Sequence, residues 1–149
     1  MTDSGNGGVR VAERDACERL APILLVEDEI FIRLASADWL RDAGYAVIEA
    51  AGPAEALEVL ASGQDLALLA TDITMPGPLT GLDLAARSRA AFPHLPVILL
   101  SAHVPADHAR HADGALMKPF GPLELVGLVE ATIGKPSQTL RHGSVADAA

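Results

Sequence analysis

The feature that most constrains this fold is the alternation of short apolar runs with helical patterns. The apolar runs are PILLV, YAVIEA, LALLATD, PVILLSA and the shorter GALM. Between the first two runs, six residues follow the i, i+3, i+4, i+7 spacing of one helix face: Ile32, Ala35, Ser36, Trp39, Leu40 and Ala43. Because the first, third and fourth runs are continuously apolar, we expect parallel strands covered by helices on both faces. The sequence therefore predicts an α/β fold of five strands and five helices.

The length and composition predict one folded domain with a tail at each end. A chain of 149 residues that is 50% hydrophobic can bury one ordinary core. Residues 1–20 are rich in glycine and charge, and residues 135–149 lack apolar periodicity, so both are predicted to be flexible tails. The folded domain is predicted to span residues 21–134.

The charge and the apolar runs exclude several classes of partner. The formal net charge is -9 and no block of lysine or arginine occurs, so nucleic acid and anionic lipid are not expected to bind. No apolar run approaches the ~20 residues of a membrane span, and the start MTDSGNGG does not resemble a secretory signal. We therefore expect a cytoplasmic protein. Cys17 is the single cysteine, which excludes an intrachain disulfide and a multi-cysteine metal site.

Polar residues stand at the ends of the predicted strands. They are Glu27 and Asp28 after the first strand, Asp72 at the end of the third, Ser101 at the end of the fourth and Lys118 after the fifth. In an open α/β sheet, ligands bind beyond the carboxyl ends of the strands. Carboxylates held this close raise one another's pKa unless a cation lies among them, and Mg²⁺ is the hard cation that accepts a few carboxylates together with a phosphoryl oxygen. These residues therefore predict a Mg²⁺ site.

The same residues suggest phosphoryl chemistry at this edge of the sheet. Asp72 can act as a nucleophile toward phosphorus. The metal and Lys118 would neutralise charge on the transferred group, and Ser101 would donate a hydrogen bond to one of its oxygens.

Four short motifs carry a family resemblance. The stretches LLVEDE, TDITMPG, ILLSA and MKPF, in this order and strand context, make residues 22–133 resemble the receiver domain of two-component response regulators. The resemblance implies a flavodoxin-like (βα)5 fold with strand order 2-1-3-4-5. It also implies a phosphorelay protein that takes a phosphoryl group from a sensor histidine kinase or a histidine phosphotransfer protein and signals through protein contacts. Such a protein catalyses only its own phosphorylation and dephosphorylation. We expect the chain to be a stand-alone receiver or a fragment of a larger protein.

The resemblance also assigns roles to single residues. Asp72 would be the phosphoacceptor, and the backbone carbonyl of Thr74 would complete the Mg²⁺ site formed by Glu27, Asp28 and Asp72. Ser101 would be the switch hydroxyl. Lys118 would sense the phosphoryl group, and the peptide bond between it and the following proline, Pro119, would be cis.

The chain departs from the family pattern in two segments. The loop MPGPLTGLDL is one residue longer than the common form and has Thr80 where an acid is usual, which we expect to affect partner contacts. The segment between Ser101 and Lys118 is short, so the fourth helix, drawn from PADHARH, is predicted to have at most about two turns. Ala115 replaces the aromatic residue that usually moves on activation.

Simpler interpretations exist for some of these residues. The EDE stretch alone would suit a helix N-terminus, where the macrodipole favours acids. His103, His108 and His111, with Asp107 nearby, form a possible zinc site, although a solvated polar segment explains them more simply.

Three other functions compete with the receiver hypothesis. A haloacid dehalogenase phosphatase needs a second aspartate two residues after its nucleophile, where this chain has Thr74. A flavodoxin electron carrier needs a phosphate-binding loop after the first strand, where residues 27–29 are acidic. A receiver-shaped scaffold that works without phosphorylation remains the main alternative.

Overall fold

The computed structural model describes residues 20–136, which form a five-stranded parallel sheet flanked by helices. The strands are β1 (Ile23–Val26), β2 (Val47–Ala50), β3 (Leu68–Asp72), β4 (Val97–Ser101) and β5 (Gly114–Met117). Their order across the sheet is β2-β1-β3-β4-β5, and every neighbouring pair is parallel. This confirms the predicted fold class and strand order. Residues 21–134 form one compact unit, whereas Cys17 and most of both predicted tails lie outside the described residues.

Helices connect the strands, with one exception. The α-helices are α1 (Ile30–Asp42), α2 (Pro53–Ala61), α3 (Gly81–Ala91) and α4 (Pro122–Ile133), whereas the connection from β4 to β5 contains a 3₁₀ helix (His108–Arg110). Within residues 20–136, the fourth of the five predicted helices is thus this 3₁₀ helix rather than an α-helix, and it is shorter than the predicted limit of about two turns. The reason is length, since a connection that starts at the end of β4 must return ~17 Å along the sheet before β5 begins. The residues left over form a single tight turn.

The three central strands carry the core. Every residue of β1, β3 and β4 is buried, whereas the edge strands β2 and β5 are mostly half-buried. One face of the sheet packs with α2 and α3 in a cluster that includes Leu24, Leu69, Leu84, Val97 and Leu99. This burial explains why these strands are continuously apolar rather than alternating. No helix within residues 20–136 is both long and apolar enough to cross a membrane.

Candidate metal centre

The strand register brings the predicted site residues to one edge of the sheet. Val26 pairs with Thr71, Asp72 with Leu100, and Ser101 with Met117. Because all five strands run in the same direction, the residues that end β1, β3, β4 and β5 lie side by side. We call this the carboxyl edge.

Three carboxylates converge at the carboxyl edge. Glu27, Asp28 and Asp72 each offer an oxygen atom, and these atoms all lie within 4.8 Å of one another. Glu27 and Asp72 are buried, whereas Asp28 is more exposed to solvent. A set of carboxylate oxygens at this spacing suits a hard divalent cation such as Mg²⁺, which binds one or two carboxylates and keeps several waters. The donor set therefore fits the predicted metal.

The structure does not support the alternative zinc site. Within residues 20–136, the three acids at the carboxyl edge are the one group of three or more histidine, cysteine or acidic side chains placed to hold a metal. His111 pairs with Asp107 at 3.7 Å, and His108 Nδ1 lies 3.0 Å from the carbonyl oxygen of Pro105. His108 and His111 are thus engaged locally.

Lys118 reaches into the acidic cluster from the end of β5. Its Nζ donates hydrogen bonds to Glu27 Oε1 and, at 3.0 Å, to Asp72 Oδ2. Its backbone N–H donates to the carbonyl of Ser101 at 2.9 Å, which fixes where the side chain begins. The peptide bond between Lys118 and Pro119 is cis, as the resemblance implied.

Burial and charge shift the pKa values of two groups in the cluster. Burial raises the pKa of Glu27 to about 7, even though the hydrogen bond and the charge of Lys118 oppose this effect. The charge of Asp72 adds a further increase that is smaller than the effect of the Lys118 hydrogen bond. Burial lowers the pKa of Lys118, but its hydrogen bonds and charge interactions with Glu27 and Asp72 outweigh that effect and raise it overall. The ammonium is therefore charged at neutral pH, and Glu27 is close to its midpoint.

The loop after β3 orients Asp72 through its backbone. Asp72 Oδ1 accepts a hydrogen bond from the N–H of Thr74 at 3.2 Å, and Asp72 Oδ2 faces Lys118. The N–H of Gly81 donates to the carbonyl of Ile73 at 2.8 Å, which brings the start of α3 against the end of β3. A Cβ at Gly81 would lie 1.7 Å from the backbone oxygen of Asp72. Only glycine fits there.

Thr80 has a structural role that was not predicted from the sequence. Its Oγ1 accepts the N–H of Asp83 at 3.2 Å, and Asp83 Oδ2 accepts the N–H of Thr80 at 2.9 Å. This reciprocal capping box satisfies two backbone donors at the start of α3, and the signal in the sequence was a threonine three residues before an acid. The capping hydrogen bonds lower the pKa of Asp83.

The remaining predicted residues lie at the carboxyl edge or close to it. Ser101 is buried at the end of β4, beside the strand that carries Asp72. Thr74 lies in the exposed loop two residues after Asp72. Ala115 in β5 is half-buried and packs against the core cluster.

An apolar groove opens beside Lys118. It has a volume of about 290 Å³ and is lined by Phe31, Ile32, Ala35, Ser36, Trp39, Lys118, Pro119 and Phe120. The rings of Trp39 and Phe120 meet edge to face, with centroids 6.4 Å apart. Phe31, at the start of α1, is 84% exposed. This groove gives the acidic site an apolar flank.

Comparison with known protein families shows which family the chain belongs to. The sequence profile described as "Response regulator receiver domain" matches residues 23–130. The chain belongs to this family. It is thus a receiver domain of two-component systems, a class of signalling proteins, and its acidic pocket suits Mg²⁺ and phosphorylation.

Curated relatives include proteins longer than this chain. The response regulator protein FleR of Pseudomonas aeruginosa is 38% identical over 73% of this chain and 24% of its own length. The sensor kinase CckA of Brucella abortus is 34% identical over 77% of this chain and 13% of its own length. The chain therefore spans less than a quarter of the length of either relative.

Solved structures of receiver proteins share the fold. The response regulator TrrA of Thermotoga maritima, solved in complex with Mg²⁺-BeF, superposes with a TM-score of 0.67 at 32% identity and covers 75% of this chain and 98% of its own. The chemotaxis protein CheY4 of Vibrio cholerae has a TM-score of 0.69 at 28% identity and covers 76% of this chain and 98% of its own.

Proposed function

We propose that residues 21–134 act as the phosphoacceptor receiver of a two-component phosphorelay, with Asp72 as the residue that is phosphorylated. The observation that carries the proposal is the position of the Asp72 carboxylate. Its Oδ2 accepts a hydrogen bond from the Lys118 ammonium at 3.0 Å, and one of its oxygens lies within 4.8 Å of oxygens of Glu27 and Asp28. A carboxylate that contacts a cation and belongs to a candidate metal site can bind and attack an anionic phosphoryl group, which an acidic cluster alone would repel.

Each site residue has a proposed task. Glu27, Asp28, Asp72 and the backbone carbonyl of Thr74 would hold Mg²⁺, which would neutralise charge on the phosphoryl oxygens. A carboxylate oxygen of Asp72 would form a bond to phosphorus while the bond between phosphorus and the donor histidine nitrogen breaks. Lys118 would pair with one phosphoryl oxygen, and the Ser101 hydroxyl would donate to another.

The proposed donor is a sensor histidine kinase or a histidine phosphotransfer protein. A protein that brings a phosphoryl group to Asp72 would contact the apolar groove and Phe31, because both flank the carboxyl edge. The phosphorylated domain would then signal through contacts with a protein target. The named relatives FleR and CckA, a response regulator and a sensor kinase, support this class of pathway.

The proposal is tested by labelling with acetyl phosphate. Intact mass should increase by one phosphate in the presence of Mg²⁺ and stay unchanged in EDTA, because the cluster needs a cation to admit the group. Asp72→Asn should abolish labelling. Labelling that persists in EDTA or in Asp72→Asn would refute the assignment. A folded, Mg²⁺-binding protein that no acyl phosphate or histidine donor labels would favour the phosphorylation-independent scaffold.

A further inference from the structure

Arg33 lies beside the acidic cluster without touching its carboxylates. It is on the first turn of α1, and its Nη1 donates a hydrogen bond to the backbone carbonyl of Glu27 at 2.9 Å. That carbonyl belongs to the peptide that joins Glu27 to Asp28. Arg33 therefore contacts the backbone between two of the candidate metal ligands.

The guanidinium of Arg33 is itself held in place from the opposite side. Its Nε lies 3.4 Å from Glu49 Oε1 on β2, and its side chain is only 16% exposed. The other oxygen of Glu49 pairs with Arg41 Nη1 at 3.0 Å, and Arg41 Nη2 donates to the carbonyl of Val47 at 3.0 Å. Glu49 thus has a fixed position on β2, and it aligns the planar guanidinium that reaches Glu27.

The peptide between Glu27 and Asp28 depends on this contact because regular pairing ends there. The N–H of Glu27 still bonds to the carbonyl of Ala50 on β2 at 3.1 Å, but β1 itself ends at Val26. On the carbonyl side, Arg33 supplies the hydrogen bond instead of a neighbouring strand. The Glu27 carbonyl lies in the plane of the Glu27–Asp28 peptide, and the Glu27 N–H lies in the plane of the preceding peptide. The two hydrogen bonds therefore restrain two successive peptide planes and, with them, the position of the Asp28 Cα.

We propose that Arg33 is a positioning residue for the metal site and that it raises Mg²⁺ affinity by fixing the backbone between Glu27 and Asp28. The inference rests on the proposed function, because it concerns the same Mg²⁺ site. It assigns Arg33 no contact with the metal or with the phosphoryl group. Arg33 would act as residues do that hydrogen-bond to a metal ligand and orient it without binding the metal themselves.

The direction of the change in Mg²⁺ affinity distinguishes a positioning role of Arg33 from an effect of its charge alone. A cation close to a metal site repels Mg²⁺, so an effect of charge alone would make binding tighter when Arg33 is removed. Loss of the hydrogen bond to the Glu27 carbonyl frees the peptide plane, and this makes binding weaker. The two explanations therefore predict opposite changes in the dissociation constant.

The experiment compares Arg33→Ala with the matched control Arg41→Ala. Arg41 pairs with the same glutamate but has no hydrogen bond to Glu27. Mg²⁺ binding is measured by calorimetry at constant ionic strength, and urea unfolding in EDTA measures stability separately. We expect Arg33→Ala to weaken Mg²⁺ binding by about tenfold, as substitutions of such orienting residues do. Arg41→Ala should leave the dissociation constant within about twofold, since β2 itself still holds Glu49 and Arg33 keeps its contacts with Glu49 and with the Glu27 carbonyl.

Arg33→Lys keeps the positive charge but replaces the planar guanidinium with an ammonium. Lysine cannot reproduce the paired geometry toward Glu27 and Glu49, so we expect Mg²⁺ binding weaker than in the unaltered chain. If Arg33→Ala does not fold, Arg33→Lys decides the question alone. If the unaltered chain binds Mg²⁺ and a folded Arg33 variant has an equal or lower dissociation constant, the positioning role alone is overturned. Absence of Mg²⁺ binding by the unaltered chain overturns the proposed function, and this inference with it.

Discussion

The two edges of the sheet carry ion pairs of the same chemistry in different environments. At the carboxyl edge, Lys118 pairs with Asp72 at 3.0 Å, and the two side chains are 17% and 8% exposed. At the opposite edge, where the strands begin, Arg89 pairs with Asp113 at 3.0 Å, and these side chains are 37% and 47% exposed. The distances are equal, so burial is the main difference between the two pairs.

This difference explains why one edge can bind a ligand and the other is structural. Asp113 bonds to both backbone groups of Val97, which fixes the start of β5 against β4. The carboxyl edge instead gathers three carboxylates and one ammonium, which pairs with two of them. This excess of negative charge costs free energy in the absence of a further cation and favours the binding of one.

The largest expected effect comes from Gly81, where the start of α3 packs against the end of β3 at the carboxyl edge. In Gly81→Ala, the new Cβ would lie 1.7 Å from the Asp72 carbonyl, so the backbone must move. We expect the free energy of unfolding, measured in urea, to fall by more than about 3 kcal/mol, at or above the usual cost of overpacking. Acetyl phosphate labelling of Asp72 should fall as well.

Gly127, in α4, provides the matched control. A Cβ at this position meets no atom within 4 Å, so Gly127→Ala should stabilise the protein by about 0.5–1 kcal/mol through helix propensity. Similar changes for the two substitutions would show that the close approach of α3 to Asp72 is unimportant.

Lys118→Met should have the next largest effect. It leaves the buried carboxylates of Glu27 and Asp72 without their ammonium. Removing one partner of a buried pair costs roughly 3–5 kcal/mol, and partial exposure of Lys118 and protonation of Glu27 reduce this to about 2–3 kcal/mol. Urea unfolding at pH 8 in EDTA measures it. Mg²⁺ should restore part of the loss, and a variant that is as stable as the unaltered chain in EDTA would contradict the buried-pair interpretation.

A smaller effect should appear in the pH dependence of stability. Burial raises the pKa of Glu27 from 4.5 to about 7, so the folded state keeps a proton that the unfolded chain has lost between these values. The free energy of unfolding should therefore fall as pH rises through this window, at up to about 1.4 kcal/mol per pH unit.

Glu27→Gln isolates this contribution. The difference in stability between the unaltered chain and Glu27→Gln, measured in EDTA, should change across the same pH window in favour of the variant as pH rises. A difference that stays constant, or that changes in the opposite direction, would mean that burial does not raise this pKa.

The sequence was sufficient to predict the parts of this fold that depend on pattern. Continuous apolar runs identified the buried strands, and the family motifs identified Asp72 and Lys118, which the structure brings together across 46 positions of the chain. The shared position of these residues could be predicted because parallel strands place their carboxyl ends at one edge of the sheet.

Other features depend on three-dimensional distances that no local pattern encodes. The contact of Arg33 with the Glu27 carbonyl depends on how the first turn of α1 faces β1. The close approach of Gly81 to Asp72 depends on the path of the intervening loop. The 3₁₀ helix replaced the predicted fourth helix because chain length, rather than helix propensity, limits the connection from β4 to β5.

The smallest expected effect belongs to the exposed edge. Arg89→Gln removes the pair with Asp113 but leaves the hydrogen bond from the Val97 N–H to Asp113 in place. An exposed pair contributes about 0–1 kcal/mol, and Arg89 Nε is buried without a hydrogen-bond partner, which offsets part of that gain. We therefore expect a change below about 0.5 kcal/mol in urea unfolding. The change should shrink further in about 1 M NaCl because salt screens exposed charges. A salt-independent loss as large as that of Lys118→Met would show that burial does not distinguish the two edges.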